Sequence, residues 1–394
     1  MRRRWWVWLL PVLGAGLALA AGLIGLRLAG QVAEAGCVPA PGEWLALVQT
    51  LLRHYRPPCT SFYWLPDPGG EYHILVQLNN FGLHAPPLAF DKPPGVFRVL
   101  LVGDSFPQGL QVEIAQGFPY RLGERLGQSS GRRVEVINLS VDAYGTDREL
   151  LLYALLGWRF QPDVVLLAVY AGNDVLDNAI DLEQRRYGYR LDRPFFTLRG
   201  GLTLHNSPIF DPALYPAPAF VWLAGMQARQ APPPSPNLPL RPAVTRAEPY
   251  EIEYPVELGI YLPPDAHWAA AWALTERLLL AFREVVAGQG TPLAVVIIPD
   301  RRAVHVEDWA ATLAQYGEQL PGLRAANPLA PAARLEAFLG ENGVPALNLT
   351  WALRAVANQG ERLYYVGDGH FNPRGHAVAA DRLALWLREI RLAP

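Results

Sequence analysis

At 394 residues, 51% of them apolar and 18% charged, the chain can build one large α/β domain, and its composition excludes global disorder. A formal net charge of −2, with no aromatic-interleaved basic stripe, gives no electrostatic basis for binding nucleic acid. No Cys-x-x-Cys pair and no His-Glu-x-x-His run occurs, so neither a metal site nor another cofactor is expected.

The chain opens with Arg2, Arg3 and Arg4 ahead of an apolar run from Trp5 to Leu26. A helix over that run is about 33 Å long, close to the roughly 30 Å hydrocarbon core of a bilayer. Residues 1–29 are therefore read as cytoplasmic arginines and an uncleaved membrane anchor, with everything after Arg27 outside the cell membrane. A cleaved signal peptide is the alternative, although its apolar region is ordinarily shorter. Cys37 and Cys59 follow the run. In an oxidising compartment they are expected to form one disulfide, worth about 3 kcal/mol through loop closure. Two unpaired buried thiols are the alternative.

Residues 30–95 form a lead-in rich in proline and aromatics, closing at Lys92-Pro93-Pro94-Gly95. The texture then changes to a domain spanning 96–391. Phe97 to Val102 is a short apolar run bounded by Gly103, as expected for a strand buried on both faces. A helix is predicted over 117–127, a strand over Arg133 to Asn138, a helix over 146–160 and a strand over Asp163 to Tyr170. Residues 179–262 lose this periodicity and read as an insertion or cap. Alternation resumes with a helix over 265–288, a strand over Leu293 to Ile298, helices within 305–342, a strand over Val344 to Leu349 and a last helix after Pro373. Strands alternating with helices imply a parallel sheet covered on both faces, with its ligand site at the carboxyl ends of the strands.

Three motifs fall at such ends. Gly103-Asp104-Ser105 directly follows the first buried strand. A serine at that turn presents its hydroxyl at the sheet rim, although a Gly-Asp-Ser turn is also an ordinary helix N-cap. Gly172-Asn173-Asp174 follows the most apolar strand. The Asn173 amide could donate to a developing oxyanion, or the pair could simply cap the next helix. Asp368-Gly369-His370 precedes the last helix. His370 could take the Ser105 proton and Asp368 could hold the imidazole tautomer, or both could be turn residues ahead of Pro373. His376, inside that helix, reads as structural.

Taken together, in this order, the motifs are similar to those of the SGNH (GDSL-like) hydrolase superfamily, most of all its membrane-anchored bacterial members. The likeness covers roughly 96–178 and 290–391, and the stretch Asn79-Asn80-Phe81-Gly82-Leu83 resembles an Asn-x-x-Gly element found before the first motif in such proteins. The resemblance implies a flavodoxin-like three-layer α/β/α fold with a parallel sheet. It implies Ser105 as nucleophile, His370 as general base and then acid, and Asp368 as its orienting partner. It also implies an oxyanion hole from the Ser105 N–H, the Asn173 side chain and a second-motif N–H. For that last donor Ala143 stands where the family has glycine, and Gly145 is the alternative. Were the position to need φ > 0, a Cβ there would cost about 1–2 kcal/mol. The Asp-x-His spacing resembles that of related polysaccharide O-acetyltransferases.

The expected function is therefore hydrolysis of a carboxylic ester, with O-acetyl groups on an extracellular or envelope glycan as the leading substrate. Trp222, Trp268 and Trp309 permit sugar stacking but serve equally as core. Acyl transfer to a sugar hydroxyl by the same triad is one alternative, and a non-catalytic glycan-binding protein on the same fold is another.

Overall fold

A computed structural model of the chain describes residues 63–64, 70–188, 191, 193–198, 200–206, 225–226 and 255–394. The expected membrane run, Cys37 with Cys59, and much of the expected insertion lie outside the described residues. Among the described residues no helix is long and apolar enough to cross a membrane.

Five strands carry the fold: β1 (Phe97–Gly103), β2 (Val134–Ser140), β3 (Val164–Tyr170), β4 (Leu293–Ile298) and β5 (Ala346–Asn348). They hydrogen-bond in the order β2-β1-β3-β4-β5, every pair parallel. This is the doubly wound order whose strand sequence reverses between β1 and β3, opening a crevice at their carboxyl ends. Each expected strand falls within two residues of the one found.

Alternation along the strands builds two cores. Leu100, Val102, Leu167, Val169, Val295 and Ile297 face one side, against helices α3 (Thr146–Leu155), α5 (Ala266–Ala287) and α6 (Ala330–Glu341). Val99, Leu101, Leu166, Ala168, Val296 and Ile298 face the other, against α2 (Phe118–Ser130) and α7 (Pro373–Glu389). Burial on both faces explains the continuous apolar strands and gives the three layers.

The helix expected over 146–160 breaks at Leu156, with φ −129°, and continues as a 3-10 turn over Gly157–Phe160. A Cβ at Gly157 would stand 2.8 Å from the Tyr153 ring and 2.9 Å from Leu100, so the turn needs glycine to approach the sheet. The expected insertion contains regular structure where the sequence shows no apolar period. A helix spans Ile180–Tyr187, a hairpin joins Phe195–Leu198 to Leu202–His205, and a 3-10 helix covers Val256–Tyr261. Leu182, Phe196, Leu202 and Leu204 tie this segment to the larger core, and a polar anchor adds to them. Buried Arg193 donates to Glu183, to Asp147 Oδ2 at 2.7 Å and to the Asp177 carbonyl at 2.8 Å.

Candidate active site

β1 ends at Gly103, and the chain turns at once into the four-residue helix α1 (Ser105–Gln108). A Cβ at Gly103 would stand 2.6 Å from Pro107 and 3.0 Å from Ala168, so a residue with a side chain could not make this turn unshifted. The capping and rim readings of Gly-Asp-Ser both hold, on different residues. Asp104 caps α1, accepting from the Phe106 N–H at 3.0 Å, while Ser105 lines a cleft of about 370 Å³. Asp104 is fully buried, and burial pushes its carboxyl up to about 6.

The late motif comes to the same cleft from the other end of the chain. His370 Nε2 lies 2.8 Å from Ser105 Oγ. On its other side the imidazole Nδ1 is hydrogen-bonded to Asp368 Oδ1, which also accepts the His370 backbone N–H at 3.1 Å. The intervening Gly369 has φ +87°, which lets the turn fold Asp368 back under the ring. Burial by itself would raise the Asp368 carboxyl. Hydrogen bonds from His370 and Tyr72, with the favourable electrostatics of the His370 ring, outweigh it and hold Asp368 below the ordinary carboxylate range.

Asn173 and Ala143 line this cleft, and Gly145 does not. Asn173 stands in the N-cap position of α4 (Asp174–Asn178), yet its side chain caps nothing there. Its Oδ1 is buried without a partner. Asp174 also departs from the capping reading, because its Oδ2 accepts from the Tyr170 N–H at 2.9 Å. Ala143 has φ +58°, the left-handed conformation that glycine adopts more readily. Gly145, the alternative donor, is corrected: it is the N-cap of α3, and a Cβ there would stand 2.7 Å from Asn178 Oδ1. Close packing, rather than a place in the cleft, calls for glycine at 145.

His376 is buried, and its Nδ1 accepts from the Phe118 N–H at 3.2 Å. Burial lowers it to about 3, so it stays neutral and structural. Among the described residues no cluster of His, Cys, Asp or Glu is placed to hold a metal.

Sequence reasoning missed several neighbours. The Gln111 amide lies 3.1 Å from His370 Nδ1, and the Tyr72 hydroxyl donates to Asp368 Oδ2 at 2.9 Å. Arg301 Nη1 donates to the Val366 carbonyl at 2.6 Å. Arg186, Glu257 and Tyr261 reach the cleft from the 179–262 segment. None sits in a motif, and only the positions just after β4, where Asp300, Arg301 and Arg302 line the cleft, carried a topological signal.

Residues 260–393 match a protein-family model described as "SGNH hydrolase-like domain, acetyltransferase AlgX". No curated protein matches the chain. Among solved structures, an acetyl xylan esterase is similar at 14% identity and a TM-score of 0.37, over 74% of this chain and 99% of that one. The psychrotrophic esterase EstA from Pseudoalteromonas sp. is similar at 10% identity and 0.37, over 75% and 98%. A catalytic mutant of an acetylxylan esterase from Geobacillus stearothermophilus is similar at 12% identity and 0.38, over 75% and 94%.

Proposed function

We propose that the chain is a serine acyl-ester hydrolase of the SGNH kind, working on an O-acylated substrate. The observation that carries this reading is the contact of Ser105 Oγ with His370 Nε2 at 2.8 Å, with Asp368 on the opposite ring nitrogen. A serine hydroxyl becomes an effective nucleophile when a base stands within hydrogen-bond reach and a third group fixes the base's tautomer. Ser105 Oγ attacks the ester carbonyl carbon and its proton passes to His370 Nε2. The carbonyl oxygen becomes an oxyanion, held by the Ser105 and Ala143 N–H groups and the Asn173 amide, donors of a kind worth about 3–4 kcal/mol each. Collapse of the intermediate breaks the ester C–O bond, and His370 returns the proton to the departing alcohol. Water, deprotonated by His370, then releases the acid and regenerates Ser105.

A second reading is acyl transfer, in which a sugar hydroxyl replaces water in the last step. The description of the matched family as an acetyltransferase favours it. A fluorophosphonate probe tests the shared part: it should label the wild type and not Ser105→Ala, and an unlabelled wild type overturns both readings in favour of a non-catalytic binder. Partition of a p-nitrophenyl acetate acyl group between water and added glycan then separates hydrolysis from transfer. As part of the same proposal, the run from Trp5 to Leu26 anchors the chain with the site outside the cell membrane; release of the full chain from membranes by alkaline carbonate would overturn that part alone.

A further inference from the structure

We propose that Tyr72 is a positioning residue of this site, so that the lead-in before the α/β domain forms part of the catalytic apparatus. The inference rests on the triad reading and extends it to Glu71 and Tyr72, which lie outside every motif named above.

Asp368 must keep one oxygen on His370 Nδ1 while the imidazole gains and loses a proton at Nε2. A carboxylate turns freely about its Cβ–Cγ bond unless both oxygens are held. Oδ1 is held by His370 itself, through its ring and its backbone N–H. The described hydrogen bond to Oδ2 comes from the Tyr72 hydroxyl, at 2.9 Å, from a residue 296 positions away in the chain. The tyrosine is itself fixed. Its ring packs on Tyr365 with centroids 5.0 Å apart, and Tyr365 in turn accepts through its backbone carbonyl from the Gly369 N–H and donates to the His370 carbonyl.

The preceding residue secures the same turn. The Glu71 carboxylate accepts from the Val366 N–H at 2.9 Å and the Gly367 N–H at 2.6 Å. Two adjacent lead-in residues thus grip positions 365 to 368, one through the turn's backbone and the other through the acid. A segment needed only to cover the sheet would have no reason to place a donor on the free oxygen of Asp368.

The electrostatic consequence has a sign. The Tyr72 hydrogen bond stabilises the Asp368 anion and draws charge from it. Without that bond the carboxylate is more basic and holds the Nδ1 proton more tightly, which favours the imidazolium. The other charged or titratable groups around this pair are Asp104 and His376 behind it, Glu71 on the turn, and Asp142, Tyr170, Arg186, Glu257, Tyr261, Asp300, Arg301 and Arg302 along the cleft; Tyr72→Phe removes none of these groups.

The test is Tyr72→Phe in the full chain, which keeps the ring against Tyr365 and removes only the hydroxyl. With p-nitrophenyl acetate, kcat should fall roughly tenfold with KM little changed, as for one lost hydrogen bond to a charged group. The acid limb of kcat/KM should move to higher pH, and the downfield imidazole N–H proton resonance should shift. Glu71→Gln, which weakens the backbone grip and leaves the hydroxyl in place, should lower kcat without moving the limb. An unmoved limb and resonance in Tyr72→Phe, whether or not turnover falls, overturns the proposal while leaving the triad standing. Wild-type turnover that survives Ser105→Ala overturns the triad reading and this inference with it.

Discussion

Ser105 Oγ and His370 Nε2, 265 positions apart in the chain, stand 2.8 Å from each other at the carboxyl rim of the sheet. One follows β1 and the other precedes α7, so the contact exists only once the sheet has formed. Because the three side chains act on one proton, their removal should not be additive. Ser105→Ala and His370→Ala are each expected to lower kcat by roughly 10⁴-fold or more, and the double variant should be no worse than the weaker single. Asp368→Asn should leave the contact geometry and remove most of the rate, since the amide permits the wrong imidazole tautomer. Single and double variants compared in one ester assay check this, and multiplicative losses would mean the residues work separately.

Ala143 lines the cleft at φ +58°. The left-handed conformation costs a residue with a Cβ about 1–2 kcal/mol, and the greater unfolded-state freedom of glycine returns roughly half of that. Ala143→Gly is therefore expected to raise stability by up to about 1 kcal/mol and to leave probe labelling of Ser105 intact. Ala143→Val, branched at Cβ, should lose both. Urea midpoints and labelling yield on the three proteins decide it; a Gly variant less stable than the wild type would show that the methyl group contributes packing that outweighs the strain.

The legible parts of this fold share a physical feature. Leu293–Ile298 is buried along its whole length, so its apolar run reads from sequence without any partner. Ser105, Asn173 and His370 lie beside strand ends or a helix start, where short polar motifs interrupt such runs. The rest depended on contacts that composition does not encode. Tyr72 and Gln111 meet the triad across 296 and 259 positions, and nothing in their own neighbourhoods marks them. The conformation of Ala143 follows from a turn between β2 and α3, which a single sequence does not specify. The helix and hairpin after Asn178 carry no sequence period because only a few side chains, Leu182, Phe196, Leu202 and Leu204, enter the core, and a buried arginine supplies the rest of the hold.

That arginine yields a stability prediction. Arg193 is buried between Glu183 and Asp147, both also buried, and its guanidinium reaches the Pro194 carbonyl at 2.7 Å as well. Buried Arg148 also pairs with these two acids, at 3.1 Å to Glu183 and 3.6 Å to Asp147, so removing Arg193 leaves two buried carboxylates sharing one cation, a loss of about 3–5 kcal/mol. Arg193→Ala should destabilise by that amount, while Glu183→Gln, which leaves a hydrogen-bonding side chain, should cost less. Both are read from denaturant midpoints. Equal and small effects would indicate that the hairpin contributes little to the cooperative unit.

A final prediction concerns the carboxyls behind the nucleophile. Glu149 is fully buried, neither oxygen has a hydrogen-bond partner, and burial, reinforced by the Asp104 and Asp147 charges, raises it well above the ordinary range. In the folded protein it is neutral over a pH range in which the unfolded chain is ionised, so folding takes up a proton. The sign follows: above the unfolded value, near 4.5, this group's contribution weakens stability as pH rises, until the folded carboxyl itself ionises. His376, lowered by burial to about 3, works in the opposite direction below 6.5, so the wild-type profile alone would mix the two. The difference between Glu149→Gln and the wild type removes the His376 contribution and reports Glu149 together with its coupling to Asp104 and Asp174. At pH 5 the two should be nearly equally stable, and the variant's advantage should then grow by about 1.4 kcal/mol for each pH unit. Urea unfolding at pH 5, 6, 7 and 8 measures the slope. A difference that stays flat would mean that Glu149 is already ionised in the folded state, the neighbouring Arg148 charge outweighing its burial.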